Sequence, residues 1–129
     1  LVEFHRRRLH VLADTAADLV AFETIPSLPE AEVLAELLAD LPDTWAWITF
    51  CCQDDQRLWD GSRLTDAVRA VDGLATLAGV GVNCTAPRHV TGLVDGVRSV
   101  TERPLIVYPN SGETYDALTH AWVRERFAG

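Results

Sequence analysis

The chain has 129 residues, of which 48% are hydrophobic and 23% are charged, a profile typical of a soluble globular domain. Its formal net charge of −8 argues against nucleic acid as a partner, because neutralising a phosphate backbone requires a basic surface. No apolar stretch is long enough to span a bilayer, so we expect no membrane partner. The three cysteines include an adjacent pair, which indicates a reducing, cytoplasmic setting rather than a disulfide framework.

The first half of the chain alternates between helical and strand patterns. Helical spacing predicts a first helix over residues 3–16, and the continuous apolar run at 19–25 predicts a buried strand. Residues from Ser27 to Glu30 form a capping box with proline in the first turn, so a second helix begins there. Aromatic and β-branched residues predict a second strand over 44–52. The chain contains no Met and opens inside a helical pattern, so we expect it to be a piece of a longer protein.

The second half continues the same alternation. An amphipathic helix is predicted from Leu64, followed by a third strand over 79–85 and a fourth helix after Pro87. The apolar run at 104–110 predicts a fourth strand, and a last helix is predicted through Phe127.

Strands that alternate with single helices predict an α/β fold with a parallel sheet built from right-handed βαβ units. Two architectures fit this order, an open doubly wound sheet or part of a (βα)8 barrel. A complete barrel needs roughly 250 residues, so a chain of this length supplies only part of one.

Polar residues follow every predicted strand, at the edge where both architectures bind ligands. They are Glu23, the Cys51-Cys52 pair, Asn83 with Cys84, and Asn110 with Ser111. Four strands that end this way indicate an active-site rim. Each residue alone also has a structural interpretation: Cys84 as a small buried hydrophobe, Asn110 and Ser111 as turn residues, and Glu23 as a hydrogen-bonded carboxylate.

Three segments carry a resemblance to a known family. AFETIPS (21–27), GVNCTAP (81–87) and VYPNSGETYD (107–116) closely resemble homocysteine S-methyltransferases, zinc enzymes that make methionine from homocysteine. The resemblance extends over residues 1–129. It implies a partial homocysteine-binding (βα)8 barrel domain, a TIM-barrel fragment whose strands correspond to barrel strands four to seven.

The resemblance also implies a metal site. In the family, one Cys after the sixth strand and two in a Gly-Gly-Cys-Cys motif after the eighth strand hold zinc. Cys84 matches the first ligand, whereas the Gly-Gly-Cys-Cys motif does not occur in this sequence. Cys51 and Cys52 are poor substitutes, because successive strand residues point to opposite faces.

Substrate contacts follow from the same resemblance. Glu23 matches the carboxylate that pairs with the ammonium group of homocysteine, and Asn83, Asn110 and Ser111 are expected to shape the substrate rim. Zinc lowers the pKa of a coordinated thiol, and three cysteine ligands leave its fourth position open for homocysteine.

We therefore expect the parent protein to transfer a methyl group from S-methylmethionine or S-adenosylmethionine to zinc-activated homocysteine. The 129-residue chain alone is expected to be inactive, because it carries one of the three zinc ligands. The alternatives are a non-catalytic half-barrel or interaction module, and a hydrolase that uses Cys84 as nucleophile with His89 as base. His5, His10, His89 and His120 are otherwise interpreted as surface or packing residues.

Overall fold

The computed structural model describes residues 1–124, which form a four-stranded parallel sheet with helices and a separate two-stranded hairpin. The helices are α1 (Val2–Ala13), α2 (Leu28–Ala39), α3 (Leu64–Asp72) and α4 (Val90–Arg98). The strands of the sheet are β1 (Val20–Ile25), β2 (Ala46–Phe50), β3 (Leu77–Asn83) and β4 (Leu105–Tyr108), and those of the hairpin are β5 (Glu113–Asp116) and β6 (Ala121–Arg124). A single 3-10 turn, Pro87–His89, precedes α4.

The order of the strands selects between the two predicted architectures. The sheet runs β1-β2-β3-β4 with every pair parallel, and α1 to α4 contact one another in the same order. A doubly wound sheet reverses its strand order at a switch point, whereas a (βα)8 barrel does not. The predicted α/β fold with a parallel sheet is confirmed, and the sequential order is that of part of a barrel.

One face of the sheet packs against the helices and forms the core. Ile48 and Phe50 of β2 are fully buried together with Val80 and Val82 of β3. Burying an aliphatic or aromatic side chain of this size stabilises the fold by about 1.5–3 kcal/mol. Because side chains alternate along a strand, Trp47 and the other odd-numbered residues of β2 point to the opposite face, which corresponds to the barrel lumen.

The amino edge of the sheet is held by one arginine. The Arg103 guanidinium donates to the carbonyl oxygens of Leu77, Asp72 and Leu74 at 2.8, 2.9 and 2.8 Å. These bonds join the segment before β4 to the end of α3 and the start of β3. The contacts of Arg103 at the amino edge are therefore structural, whereas the predicted polar residues lie at the carboxyl edge.

The predicted last helix is wrong over the residues that the structure describes. β5 and β6 pair antiparallel there, with Tyr115 opposite Trp122 and their ring centroids 5.3 Å apart. The Asp116 carboxylate closes the intervening turn by accepting a 2.8 Å bond from the Thr119 hydroxyl. Cross-strand aromatic pairing and this turn outweigh the weak helical spacing. Phe127 lies outside the described residues.

The other predicted elements are confirmed with small shifts at their ends. Ser27 caps α2 as the capping box predicts, since its hydroxyl accepts a bond from the Glu30 N–H at 3.4 Å. β2 ends at Phe50 and β3 at Asn83, so Cys51 and Cys84 each lie just past a strand. Within residues 1–124, no helix is long and apolar enough to cross a membrane.

Candidate functional site

The end of β1 is bent into the carboxyl edge by an unusual backbone. The register with β2 shifts between Phe22 and Ile25, and Thr24 has a φ of +65°. A non-glycine residue in this region costs about 1–3 kcal/mol unless neighbours hold it there. Asn83 does so, because its Oδ1 accepts from Thr24 N–H at 3.0 Å and its Nδ2 donates to Thr24 Oγ1 at 2.8 Å.

Cys84 follows directly on β3 and also has a positive φ, +47°. Its side chain is exposed, and its N–H donates to the carbonyl of Tyr108 at 3.3 Å. Two groups donate to the sulfur: Asn83 Nδ2 at 3.4 Å and Thr24 Oγ1 at 3.7 Å. An exposed sulfur oriented by two hydrogen bonds is accessible to a metal ion, and such outer contacts fix the direction of a ligand. The surroundings of Cys84 therefore fit a zinc ligand.

Glu23 lies on the lumen face beside other polar groups. Its carboxylate accepts a 3.3 Å bond from the Trp47 indole N–H, and Thr49 Oγ1 lies 3.3 Å from the Tyr108 hydroxyl. Burial raises the pKa of Tyr108; the Thr49 bond opposes that rise, and the neighbouring Glu23 carboxylate adds to it. Glu23 precedes Thr24, whose hydroxyl donates to the Cys84 sulfur, so Glu23 and Cys84 belong to the same edge of the sheet.

Sequence reasoning missed Trp47, Thr49 and Tyr108 as members of this site. The available signal was the two-residue period of β2, which places Trp47 and Thr49 on one face although both lie inside an apolar run. Tyr108 lies in the predicted fourth strand, where an aromatic residue by itself indicates only strand structure. Only the pairing of β4 with β3 brings it level with Asn83.

The loop after β4 lies over the end of β3. The Asn110 N–H donates to the carbonyl of Thr85 at 3.0 Å, and Asn110 lines a cavity of about 300 Å³ together with Cys84. Ser111 instead donates its hydroxyl to Glu113, which holds the pKa of that carboxyl below its usual range. Of the predicted rim residues, Asn83 contacts Cys84 directly, Glu23 precedes their shared partner Thr24, and Asn110 shares the cavity with Cys84.

The adjacent cysteines follow the end of β2 and differ in their surroundings. Cys51 donates its thiol to the carbonyl of Thr24 at 3.6 Å, whereas Cys52 belongs to the hydrophobic core with Leu58. Burial raises the pKa of Cys51 to about 11 and that of Cys52 to about 12. In the part of the chain that the structure describes, no group of three or more His, Cys, Asp or Glu side chains is arranged to hold a metal ion. Cys84 is therefore the one thiol here that fits a metal ligand.

Two histidines bear on the alternative interpretations. His89 lines the same cavity as Cys84, but within residues 1–124 the hydrogen bonds to the sulfur come from Asn83 and Thr24. A hydrolase would need the base within hydrogen-bond reach of its nucleophile. His5 is buried and its Nε2 lies 2.7 Å from Glu30 Oε1, which confirms it as a packing residue.

Comparisons with known proteins agree on one family. Residues 1–128 match the family described as Homocysteine S-methyltransferase. The homocysteine S-methyltransferase YbgG of Bacillus subtilis is 42% identical over 122 residues, which are 95% of this chain and 39% of that protein. This chain thus spans about two-fifths of the length of that relative.

Solved structures give the same result. The apo form of the homocysteine methyltransferase MmuM from Escherichia coli superposes with a TM-score of 0.79 at 40% identity, covering 92% of this chain and 45% of that one. Its metallated form superposes with a TM-score of 0.78 at 38% identity, covering 93% and 43%. The chain belongs to the homocysteine S-methyltransferase family.

Proposed function

We propose that the protein containing this chain transfers a methyl group from a sulfonium donor to the sulfur of homocysteine, giving methionine. The donor is S-methylmethionine or S-adenosylmethionine, and residues 1–129 are part of the homocysteine-binding barrel. The observation that carries the proposal is the convergence of Cys84 and Glu23 at the carboxyl edge of the sheet, where Thr24, the residue after Glu23, and Asn83 both donate to the Cys84 sulfur. Family membership supplies the chemistry to which this arrangement belongs.

Glu23 is assigned to the ammonium group of homocysteine. Its carboxylate is exposed on the lumen face and keeps acceptor capacity beyond the single bond from Trp47. A charge-assisted bond to an ammonium group is roughly twice as strong as a neutral one. Asn83, Asn110 and Ser111 are assigned to the rim of the same substrate site.

Cys84 is assigned as one zinc ligand. Its exposed sulfur accepts two hydrogen bonds, and such contacts from outside the coordination shell orient a ligand. Bound zinc would lower the pKa of the homocysteine thiol, so that a thiolate is present at neutral pH. The remaining ligands would come from outside the described residues.

The transfer step requires no redox partner. The homocysteine thiolate attacks the sulfonium methyl carbon; the new S–C bond forms as the old one breaks, and its electron pair stays on the departing neutral thioether. The residues of this chain bind and orient: Glu23 fixes the amino acid, and Asn83 and Thr24 fix Cys84. The three free thiols fit a cytoplasmic location, where cysteines stay reduced.

Substitution of Glu23 tests this assignment in the full-length protein. Glu23→Gln removes the charge that pairs with the ammonium group. Because a hydrogen bond to a charged group contributes about 1.5–3 kcal/mol, the KM for homocysteine should rise by roughly 10- to 150-fold. The KM for the donor should be unchanged, with methionine measured by mass spectrometry. Glu102→Gln, an exposed carboxylate before β4 at the opposite edge, is the matched control.

Two results would contradict the proposal. One is an absence of methionine with either sulfonium donor while zinc is bound, which would favour the non-catalytic half-barrel. The other is a Glu23→Gln variant whose KM for homocysteine equals that of the wild type.

A further inference from the structure

The cavity of about 300 Å³ beside Cys84 has aromatic walls that the assignments above leave unused. Trp59 comes from the loop after β2, Tyr115 from β5 and Trp122 from β6. Three separate segments thus bring large rings to one opening, next to the thiol assigned to the metal site.

All three rings are exposed, at 62% for Trp59, 49% for Tyr115 and 64% for Trp122. Single exposed apolar residues are ordinary, whereas several around one cavity indicate a binding surface. Tyr115 and Trp122 stand 5.3 Å apart with their planes tilted by 59°, so they present two differently oriented faces.

The lining contains one carboxylate, Glu113, and one guanidinium, Arg88, so its aromatic faces and not its net charge are what suit a cation. Glu113 lies in the same lining, where Ser111 hydrogen-bonds to its carboxylate. Its ion pair with Arg124, at 3.4 Å, involves a largely exposed guanidinium and is therefore weak. Aromatic faces attract organic cations within about 6 Å of the ring centroid, and three such faces line this cavity.

Building on the proposed function, we propose that this cavity binds the sulfonium methyl donor, with Trp59, Tyr115 and Trp122 facing its positive charge. The donor loses that charge when it gives up its methyl group. The neutral thioether product then lacks the attraction that held the donor, so the same rings distinguish substrate from product. Cys84 in the lining places the donor next to the homocysteine site.

Ligand-observed NMR titration of the full-length protein, with a metal chelator and without homocysteine, tests the donor site. S-methylmethionine should bind at least tenfold more tightly than methionine, which has the same skeleton without the sulfonium charge. Trp59→Leu and Trp122→Leu should each weaken S-methylmethionine binding about 2- to 30-fold, the range of a cation–π contact, and leave methionine binding unchanged. Phe at either position should restore most of the affinity.

The control is Trp45→Leu, which removes another exposed ring, 49% accessible, just before β2 at the other edge of the sheet. None of these variants changes the net charge, so general attraction to an acidic protein cannot produce the pattern. Equal affinity for S-methylmethionine and methionine would overturn the proposal, as would wild-type affinity in both Leu variants. Because the two tryptophans lie on separate segments, misfolding of the hairpin would leave the Trp59 result interpretable.

The donor site and the proposed function fail separately. Sulfonium binding that depends on both tryptophans, without methionine formation, supports the donor site and contradicts the proposed reaction. Methionine formation with an unchanged donor KM in both Leu variants overturns the donor site alone. Titration with S-adenosylmethionine shows which sulfonium the cavity prefers, and tight binding of either compound supports it.

Discussion

Asn83 connects the two residues with left-handed backbone at the carboxyl edge. Both ends of its amide are engaged, with Thr24 on one side and the Cys84 sulfur on the other, and the side chain is only 2% exposed. It therefore holds the end of β1 against the end of β3. Its predicted contact with substrate stays a prediction, whereas its contacts with Thr24 and Cys84 are features of the structure.

Asn83→Ala should lower the free energy of unfolding by about 1–3 kcal/mol, because it leaves buried partners unsatisfied and releases the positive φ of Thr24. Urea denaturation of wild type and variant measures the difference. Asn110→Ala is the control, since the bond from Asn110 to Thr85 uses the backbone and survives the change. Equal losses in the two variants would contradict this account of Asn83.

The three thiols should differ sharply in reactivity. Cys84 is exposed, whereas Cys51 and Cys52 are buried with pKa values raised to about 11 and 12. A raised thiol pKa leaves the unreactive protonated form dominant until the pH approaches that value. At pH 8 a thiol reagent should therefore label one cysteine rapidly, and Cys84→Ser should abolish the fast phase. Three equal rates in the folded protein would refute the placement of the pair.

At the scale of elements, the loop after β2 is tied to the start of α2. The Asp60 carboxylate accepts the Leu28 N–H at 3.1 Å and both the N–H and the hydroxyl of Ser62 at 2.9 and 2.8 Å. It thus satisfies a free donor of the helix terminus, adding to the cap from Ser27. These hydrogen bonds of Asp60 also hold the backbone next to Trp59, the preceding residue.

Asp60 should contribute to the pH dependence of stability. Burial alone would raise its pKa, but the bonds from Ser62 and Leu28 outweigh burial and lower it. A lowered pKa gives stability that is present above the unfolded value of 3.8 and lost as pH falls through the folded value. Asp60→Asn should lower stability at pH 7 by about 0.5–2 kcal/mol and remove part of the loss below pH 4.

Denaturant unfolding at several pH values measures both effects of the Asp60 substitution. Asp43→Asn is the control, because Asp43 is an exposed turn residue outside this network. An acid profile of Asp60→Asn parallel to that of the wild type would contradict the predicted role.

Most elements were predictable because their signals are local. The capping box at Ser27 and the apolar strands follow from spacing and burial within each segment. The hairpin of β5 and β6 was not predictable from local spacing, because Tyr115 and Trp122 pair across a turn and not along a helix. The site was predictable where residues stand at strand ends, as Glu23 and Cys84 do. The place of Tyr108 beside Asn83 depends on the register between β3 and β4, which the sequence does not display.

At the scale of the whole molecule, the chain forms one arc of a barrel. β1 and β4 are the edges of the sheet in the described residues, and unpaired edges favour association. The proposed zinc ligand Cys84 and Glu23, the proposed partner of the homocysteine ammonium group, both lie on this arc. Two further zinc ligands are expected elsewhere in the parent protein, so the 129-residue chain alone should form no methionine. Zinc-dependent methionine formation by the purified chain would refute that expectation.

The assignment of Cys84 as a zinc ligand of a homocysteine methyltransferase can be tested by metal analysis. The most direct measurement is the zinc content of the full-length protein and its Cys84→Ser variant, with Cys51→Ser as a control on the neighbouring strand. We predict one zinc per wild-type and Cys51→Ser polypeptide, and none retained by Cys84→Ser although its fold is preserved. A folded Cys84→Ser variant that keeps its full zinc content would show that Cys84 is not a zinc ligand.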